Sequence, residues 1–373
     1  MTNPFYTYGY AGAEYFCDRE EETARLTMLL TNGNHVALMS PRRMGKTGLL
    51  NHCFAQSEIR DSYYTFIVDI YATKSLAEFT YALGKGILNV LKSKGRKAWE
   101  SFIKIVGSFR TGITLDEFGK PIWNLEVGDI KTPTITLDEI FDYLSHADKP
   151  CLIAIDEFQS IVNYEEKNVE ATLRTYIQQC NNAWFVFSGS KRTMMGEIFS
   201  SPSRPFYQSA TVMSLRAIPL PAYSDFICKH FNAANKHISR ELIDSLYHRF
   251  EGTTWYIQKV ANELYASTAE NGNTSEDNLE SAIQRIICDN EYTYKDTLYR
   301  LTAKQKAVLI AISKASPDAQ ITSSAFIKAN RLPSASSVQK SLSALVEKEI
   351  VTCTLGKYSI YDYFFALWLE QSL

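Results

Sequence analysis

Apolar and polar residues alternate along the first half of the chain in blocks that predict strands and helices in turn. Five short apolar runs, each bounded by Gly, Pro, Ser or Asp, lie within residues 35–218: HVALMS, YYTFIVDI, CLIAID, AWFVFSGS and TVMSLRAI. Longer segments with helical spacing of apolar residues separate them. Strands separated by helices favour βαβ units, so this region predicts a parallel sheet covered by helices on both faces.

An insertion interrupts this alternation at about residues 92–134. It begins with a basic helical segment, KSKGRKAWESFIKIV, and continues as FRTGITLDEFGKPIWNLEVG. Two alternating runs flank the Gly119-Lys120-Pro121 turn, which predicts a β-hairpin. We therefore expect residues 1–219 to form an α/β core that carries this insertion.

Helical periodicity replaces the strand pattern after Pro219. Residues 220–300 contain four segments with helical spacing and predict a helical domain. From Leu301 onward, three helical segments precede two β-rich runs around Gly356-Lys357, within IVTCTLGKYSIYD. Three helices followed by a small hairpin are typical of a winged helix-turn-helix, which we expect at residues 301–373.

Composition and charge narrow the class of protein. Apolar residues make up 45% of the chain, and the formal net charge is −2, so no global field favours nucleic acid or a membrane surface. Seven scattered cysteines without a C-x-x-C pair favour reduced thiols rather than disulfides or a zinc site. With neither a signal peptide pattern nor an apolar run of membrane length, we expect a cytoplasmic protein without membrane association.

The stretch SPRRMGKT follows the first apolar run and has the form of a phosphate-binding loop with one departure. The usual pattern is G-x-x-x-x-G-K-[ST], and Ser40 occupies the first glycine position. Gly45, Lys46 and Thr47 supply the turn, the cation and the hydroxyl that such a loop needs. If Ser40 had to take a positive φ, the cost would be about 1–2 kcal/mol, which a fold tolerates.

A second motif, CLIAIDEFQSI, ends an apolar strand in Asp156 and Glu157. A carboxylate at the end of a strand beside a phosphate loop is suited to hold Mg²⁺, and the next carboxylate is suited to activate a water molecule. A buried strand that happens to end in two solvated acids is the alternative for this motif alone. The two motifs together, in this order and each after an apolar strand, favour a nucleotide site.

The chain resembles the prokaryotic AAA+ ATPases first recognised mainly in archaea, which are related to the signal-transduction ATPases with numerous domains (STAND). The resemblance extends over nearly the whole chain, through YFCDREEE, SPRRMGKTGLL, VDIYATKSLAEF, LIAIDEFQ, FSGSKRTMM, RPFYQSA, FEGTTWYIQKVANELY and YDYFFALWL. It implies a P-loop NTPase (AAA+-like) parallel sheet core, a helical lid and a C-terminal winged helix. It also implies that ATP is bound and hydrolysed, slowly or with stimulation by a partner.

The same resemblance implies roles for particular residues. Lys46 would neutralise the β- and γ-phosphates, Thr47 and Asp156 would hold Mg²⁺, and Glu157 would activate the water. The γ-phosphate sensor would be Ser188 or Ser190, between which the sequence does not choose, and the transition-state arginine would be Arg204 rather than Arg192 by a narrow margin. The residues expected to contact ATP or ADP are Phe16, Arg19, Pro41, Arg42, Arg43, Met44, Gly45, Lys46, Thr47 and Gly48.

Two departures from the family pattern affect the loop and the base pocket. Relatives have G-P-R-R where this chain has Ser40-Pro41, and often Gly-x-Pro in the lid where this chain has Gly252-Thr253-Thr254. The lid proline commonly abuts the adenine, so this departure puts base contacts by Thr254 and Trp255 in question.

The resemblance implies a nucleotide-dependent molecular switch that repositions the winged helix. The alternative is a DNA-binding regulator controlled by ATP. For a DNA-binding domain the C-terminal region has a small excess of positive charge, with eight Lys or Arg against five Asp or Glu in residues 301–373. A nucleotide-binding scaffold that no longer hydrolyses is disfavoured by Glu157. The sequence leaves open a protein partner or self-association.

Overall fold

The computed structural model describes residues 2–124, 126–316, 318–354 and 356–372. It divides into two compact units. The core unit is Pro4–Phe226 together with Gly252–Tyr256, and the helical unit is Ile227–Glu251 together with the chain from Ile257 on and residues 2–3. The boundaries expected at residues 219/220 and 300/301 stay predictions.

The described chain contains nine strands and sixteen α-helices. The strands are β1 (Val36–Met39), β2 (Tyr64–Asp69), β3 (Ile113–Leu115), β4 (Pro121–Trp123), β5 (Cys151–Asp156), β6 (Ala183–Gly189), β7 (Thr211–Ser214), β8 (Val351–Thr354) and β9 (Lys357–Ile360). The helices up to the end of the sheet are α1 (Glu20–Thr31), α2 (Lys46–Ala55), α3 (Ser57–Ser62), α4 (Leu76–Lys94), α5 (Arg96–Ile105), α6 (Pro133–His146), α7 (Val169–Gln179) and α8 (Arg192–Ser200). The later helices are α9 (Leu220–Ala233), α10 (Arg240–Arg249), α11 (Thr254–Ser267), α12 (Glu276–Tyr299), α13 (Ala303–Ser313), α14 (Ser324–Ala329), α15 (Ala335–Glu347) and α16 (Tyr363–Ser372).

The predicted parallel sheet is confirmed, and each of the five apolar runs forms one of its strands. The strand order is β2-β5-β6-β1-β7, and every neighbouring pair is parallel. All residues of β1 and β5 are buried, as expected for strands covered on both faces. Since the strands run in one direction, the segments that follow them leave from a common edge of the sheet.

Alternate residues of β1, β5 and β6 enter two different hydrophobic cores. Along β1, Ala37 and Met39 face one core, whereas Val36 and Leu38 face the other. The first core contains the rings of Phe158, Phe187 and others from the strand ends and α8. Burial on both faces explains why these strands are continuous apolar runs rather than alternating ones.

The insertion forms α5 and an antiparallel hairpin of β3 and β4, which confirms the hairpin expected around Gly119. Its aromatic residues pack against α4 of the core unit. A Cβ atom at Gly84 of α4 would lie 2.2 Å from the Phe109 ring, and Phe109 in turn meets Trp123 edge to face at 4.8 Å. The small residue in α4 therefore lets the insertion pack closely.

Within the helical unit, α13–α15 and the antiparallel β8–β9 hairpin form the winged helix that the sequence predicts. The following helix, α16, packs its aromatic side chains on α12. The Tyr294 ring lies 5.2 Å from that of Phe365 and 5.7 Å from that of Trp368. The winged helix is therefore bound to the long helix that precedes it.

None of the helices in the described ranges has both the length and the apolar composition needed to cross a bilayer.

Candidate active site

The phosphate-binding loop leaves strand β1 and ends where α2 begins at Lys46. β1 lies between the central strand β6 and the edge strand β7, so the loop leaves an interior strand at the sheet's carboxyl edge. Gly45 precedes α2 with φ of 89°, a left-handed conformation that favours glycine. The unpaired N–H groups at the start of α2 follow this turn, as an anion site requires.

Ser40 replaces the usual glycine without backbone strain. Its φ is not positive, and the loop's positive φ angles fall at Arg43 (69°) and Gly45 (89°). The serine side chain is buried, and its hydroxyl donates to the carbonyl of Pro41 at 3.0 Å. The cost considered for a positive φ at Ser40 therefore does not arise.

Lys46 is buried beneath the loop that it closes. Its ammonium donates to the carbonyl oxygens of Ser40 at 3.2 Å and Pro41 at 3.3 Å. Burial lowers the pKa of Lys46, and the nearby carboxylates of Glu157 and Asp156 oppose that shift. The loop thus holds its cation in a partly desolvated position where an anion would interact with it strongly.

Thr47 and Asp156 join the two sequence motifs directly. The Thr47 hydroxyl donates to Asp156 Oδ2 at 2.8 Å, and the backbone N–H of Glu157 donates to the other carboxylate oxygen at 3.0 Å. Within the described residues, no group of three or more His, Cys, Asp or Glu side chains forms a complete metal cage. One hydroxyl and one carboxylate fit Mg²⁺, which binds a few protein oxygens and takes its remaining ligands from phosphates and water.

Glu157 is held at the site by two donors on one of its oxygens. Its Oε2 accepts from the Ser190 hydroxyl at 2.7 Å and from Gln159 Nε2 at 2.5 Å. The Ser190 hydroxyl also accepts from Arg42 Nε at 3.3 Å. A chain of hydrogen bonds therefore runs from the phosphate loop through Ser190 to the carboxylate.

Gln159 was not among the residues that the sequence predicts for the site. It is 2% exposed, and its Oε1 is buried without a hydrogen-bond partner among the described residues. Its position two residues after Glu157 in DEFQ was the available signal. The short turn after β5 returns this amide to the carboxylate.

The structure distinguishes the two sensor serines. Ser188 lies inside β6 opposite Leu38, and its hydroxyl is fully buried without a described hydrogen-bond partner. Ser190 lies just beyond the strand and contacts both Arg42 and Glu157. Of the two, Ser190 is the one in contact with the phosphate loop and the acidic motif.

Asp69 is a further carboxylate that the sequence reasoning did not assign to the site. It ends β2 and pairs in register with Asp156. Burial raises the pKa of Asp69, the Tyr71 backbone N–H lowers it by hydrogen bonding, and the charges of Asp156 and Glu157 raise it again. The signal was the acidic residue at the end of the apolar run YYTFIVDI.

Phe16 and Arg19, expected near the base, pack beside the loop and α2. The Phe16 ring stacks on His52 at 4.3 Å and lies 3.3 Å from where a Cβ at Gly48 would be. Arg19 is buried; its guanidinium pairs with Glu22 at 2.7 Å and donates to the Met44 carbonyl at 3.3 Å. Arg19 thereby braces the loop backbone.

Arg43 is tied to the segment Gly252–Tyr256. Its carbonyl accepts from the Trp255 backbone N–H at 3.0 Å, and its guanidinium lies 4.3 Å from the Trp255 ring centre and 4.8 Å from that of Tyr256. The guanidinium also donates to the Tyr256 hydroxyl. Cation–π and hydrogen-bond contacts therefore fix this loop residue against the first turn of α11.

The arginine candidates for transition-state stabilisation lie in other contacts. Arg204 forms an ion pair with Glu170 of α7. Burial raises the pKa of Glu170, which the Arg204 charge opposes. Arg192 is exposed at the start of α8. Neither arginine forms a hydrogen bond or ion pair with the phosphate loop in the described part of the chain.

Two family profiles match the chain. A family profile described as an ATPase domain predominantly from Archaea matches residues 16–260, and one described as a probable winged helix domain matches residues 292–371. No protein of curated function matches the sequence significantly.

Two solved structures share the fold over nearly their whole length. The Walker-type ATPase of Pyrococcus abyssi is similar with a TM-score of 0.66 and 16% identity, covering 98% of this chain and 99% of that one. The Aeropyrum pernix ORC2 protein, solved as ADPNP–ADP complexes, is similar with a TM-score of 0.60 and 14% identity, covering 99% of this chain and 96% of that one. Similarity at these identities shows the P-loop NTPase fold.

We predict that Arg43→Ala lowers the free energy of unfolding of the core unit by about 1–3 kcal/mol, because it removes two cation–π contacts and the hydrogen bond to the Tyr256 hydroxyl. Urea denaturation followed by tryptophan fluorescence measures the change. Arg192→Ala, at an exposed position, is the control. ATP affinity should fall less than in Lys46→Ala. Unchanged stability with ATP affinity lost as fully as in Lys46→Ala would show instead that Arg43 is a phosphate ligand.

Proposed function

This chain belongs to the family of ATPase domains found predominantly in archaea, and from that membership we propose that it binds and hydrolyses ATP as a STAND-like molecular switch that repositions its winged helix. The observation that carries the proposal is the hydrogen bond between Thr47 and Asp156. It places the end of the phosphate loop at the acidic strand end, with Glu157 adjacent.

ATP would bind with its phosphates on the loop 40–47. The N–H groups at the start of α2 and the Lys46 ammonium supply positive potential there. The Lys46 ammonium now donates to the carbonyls of Ser40 and Pro41. When ATP binds, hydrogen bonds from the ammonium to phosphate oxygens would replace part of these contacts. ORC2 of Aeropyrum pernix, solved with ADPNP and ADP, supports adenine nucleotides as the ligands.

Thr47 and Asp156 are the residues that would hold Mg²⁺. When bound, the ion supplies charge neutralisation at the phosphates. The present hydrogen bond between the two side chains keeps a hydroxyl oxygen and a carboxylate oxygen within one small region. Asp69, in register beside Asp156, adds negative charge at this edge of the sheet.

Glu157 is the residue that we propose as general base. Ser190 and Gln159 both donate to Oε2, so the carboxylate is fixed by that oxygen, and Oε1 would be the oxygen that accepts the proton. The water oxygen would bond to the γ-phosphorus as the bond from that phosphorus to the bridging oxygen breaks. ADP would leave with the electron pair, and the water proton would pass to Glu157. Ser190, in contact with Arg42 and Glu157, is the proposed sensor.

The switch proposal rests on how α11 is divided. Its first turn, through Tyr256, belongs to the core unit and is held by Arg43, whereas the rest of the helix belongs to the helical unit. When ADP replaces ATP, a change in the conformation of the loop would move this first turn. Because α11 is continuous, the rest of the helix, which precedes the winged helix in the chain, would move with it. The downstream target would be a protein partner or a second copy.

Control of DNA binding by ATP is the second candidate function. The presumptive recognition helix α15 contains Lys340, but Lys348 at its end is flanked by Glu347 and Glu349. Adjacent acidic side chains oppose the approach of phosphates.

We expect Mg-ATP to raise the melting temperature of the protein, because a ligand that binds only the folded state stabilises it. Lys46→Ala should abolish this shift, whereas Lys167→Ala, at an exposed position, should retain it. Ser40→Gly should keep ATP affinity within a few-fold of the parent value, since Ser40 has no positive φ to relieve. Equal stabilisation of Lys46→Ala and the parent by ATP would refute the loop assignment.

Replacement of Glu157 should separate binding from chemistry. Glu157→Gln keeps the size of the side chain but removes the base, so single-turnover ATP hydrolysis should fall by about 10²–10⁴ while ATP affinity stays near the parent value. Glu197→Gln, on the exposed side of α8, is the matched control. If the parent hydrolyses ATP and Glu157→Gln does so at the same rate, another residue is the general base.

The switch predicts different arrangements of the two units with different nucleotides. Small-angle X-ray scattering of Glu157→Gln should give distinguishable curves with Mg-ATP and with Mg-ADP, because the variant holds ATP without turnover. Lys46→Ala is the control and should give one curve under both conditions. Superimposable curves for Glu157→Gln, with binding of both nucleotides verified, would contradict the switch and leave ATP hydrolysis standing.

A further inference from the structure

A pocket lies at the edge of the sheet opposite the phosphate loop. It has a volume of about 550 Å³, within the usual size of small-molecule sites. His35, just before β1, and Trp184, near the start of β6, lie on its wall. The loop begins at the other end of β1, about 13 Å away along the strand. This pocket is therefore separate from the candidate ATP site.

The pocket wall combines an apolar surface with donors and has no acidic side chain. Ile177, Trp184 and Phe206 supply apolar and aromatic surface. Arg174 is the one lining residue with a permanent charge, and no Asp or Glu is present in the lining. Such a wall favours an anion over a cation or a neutral polar molecule.

The guanidinium of Arg174 has a nitrogen without a hydrogen-bond partner among the described residues. Its Nε is buried and makes no hydrogen bond to the described residues, and none of their carboxylates pairs with the guanidinium. The neighbouring acid on the same face of α7, Glu170, pairs with Arg204 through Oε1, and its buried Oε2 makes no hydrogen bond to the described residues. Arg174 therefore contributes an unpaired charge to the pocket lining, with which an anionic ligand would form a charge-assisted hydrogen bond.

His35 adds a second donor at the pocket. Its Nδ1 accepts from the Phe185 backbone N–H at 3.1 Å, so in the neutral ring the proton lies on Nε2. Burial lowers the pKa of His35, which favours this neutral form. Nε2–H makes no hydrogen bond to the described residues, and the ring lines the pocket, so it would be the donor to an acceptor bound there.

We propose that this pocket binds a small organic anion with an apolar body, of which an aryl carboxylate is the simplest example. The carboxylate accepts from Arg174 and His35, while the ring lies against Trp184 and Phe206. The proposal is independent of ATP hydrolysis, since it involves none of the residues placed in the loop or the acidic motif.

The test uses the full chain labelled with 5-fluorotryptophan and titrated with benzoate. Fluorine NMR reports on each tryptophan, and Trp184→Phe identifies the signal of residue 184. We expect benzoate to shift that signal saturably, with a dissociation constant of about a millimolar, given the few atoms of the probe. Benzyl alcohol, of similar shape and without charge, should bind at least tenfold more weakly.

Two variants test the role of charge. Arg174→Gln should weaken benzoate binding at least tenfold, because a hydrogen bond to a charged group is lost. Gln178→Glu, at an exposed lining position, should also weaken it by placing a carboxylate at the pocket. Arg192→Gln, an exposed arginine of α8, and Lys46→Ala, which disables the phosphate loop, should both bind benzoate as the parent does.

Several outcomes would overturn the proposal. These are the absence of a saturable shift at Trp184, equal affinity for benzoate and benzyl alcohol, and parent-like binding in both charge variants. Loss of the shift in Lys46→Ala would place the benzoate in the loop instead. If Arg174→Gln does not fold, Gln178→Glu decides alone.

Discussion

Parallel pairing of β1, β6 and β5 is the constraint on which the candidate active site depends. It brings the loop after β1, Ser190 after β6 and the Asp156–Glu157 pair after β5 to one edge of the sheet. None of these groups is near the others in sequence, and no local turn would bring them together. A hydrogen bond from Thr47 to Asp156 and one from Ser190 to Glu157 are possible because the strands end in register. The buried faces of the strands, packed into two cores, hold that register.

The sequence predicts the parts of the fold that depend on local pattern. The five sheet strands, the hairpin of the insertion and the outline of the winged helix are confirmed, because buried strands and amphipathic helices have distinct periodicities. The order of the strands in the sheet is a non-local property, and periodicity alone does not provide it. The roles of Lys46, Thr47, Asp156 and Glu157 were proposed from motifs, and their proximity in the structure supports those roles without testing them.

The residues that sequence reasoning missed, Asp69 and Gln159, join the site through contacts that only the fold shows. Asp69 belongs to the site because β2 pairs with β5. Arg43 was expected at the nucleotide, but its contacts with residues more than two hundred positions later in the chain were not predicted. Gln159 is close to Glu157 in sequence, but only the turn after β5 shows that its amide returns to the carboxylate. The same limit applies to the pocket around Arg174, whose wall comes from α7, β6 and the residues before β1 and β7.

The backbone of Glu157 has a consequence for how this protein responds to selection. Its φ of 56° is a left-handed conformation that costs a non-glycine residue about 1 kcal/mol or more. Glycine would adopt the same backbone without that cost, but it would remove the carboxylate from the acidic motif. Glycine would also lose the hydrogen bonds that Oε2 accepts from Ser190 and Gln159. The relief of backbone strain and the loss of these hydrogen bonds therefore act in opposite directions on stability, so thermostable variants of this chain would need the gain to come from elsewhere in the sheet.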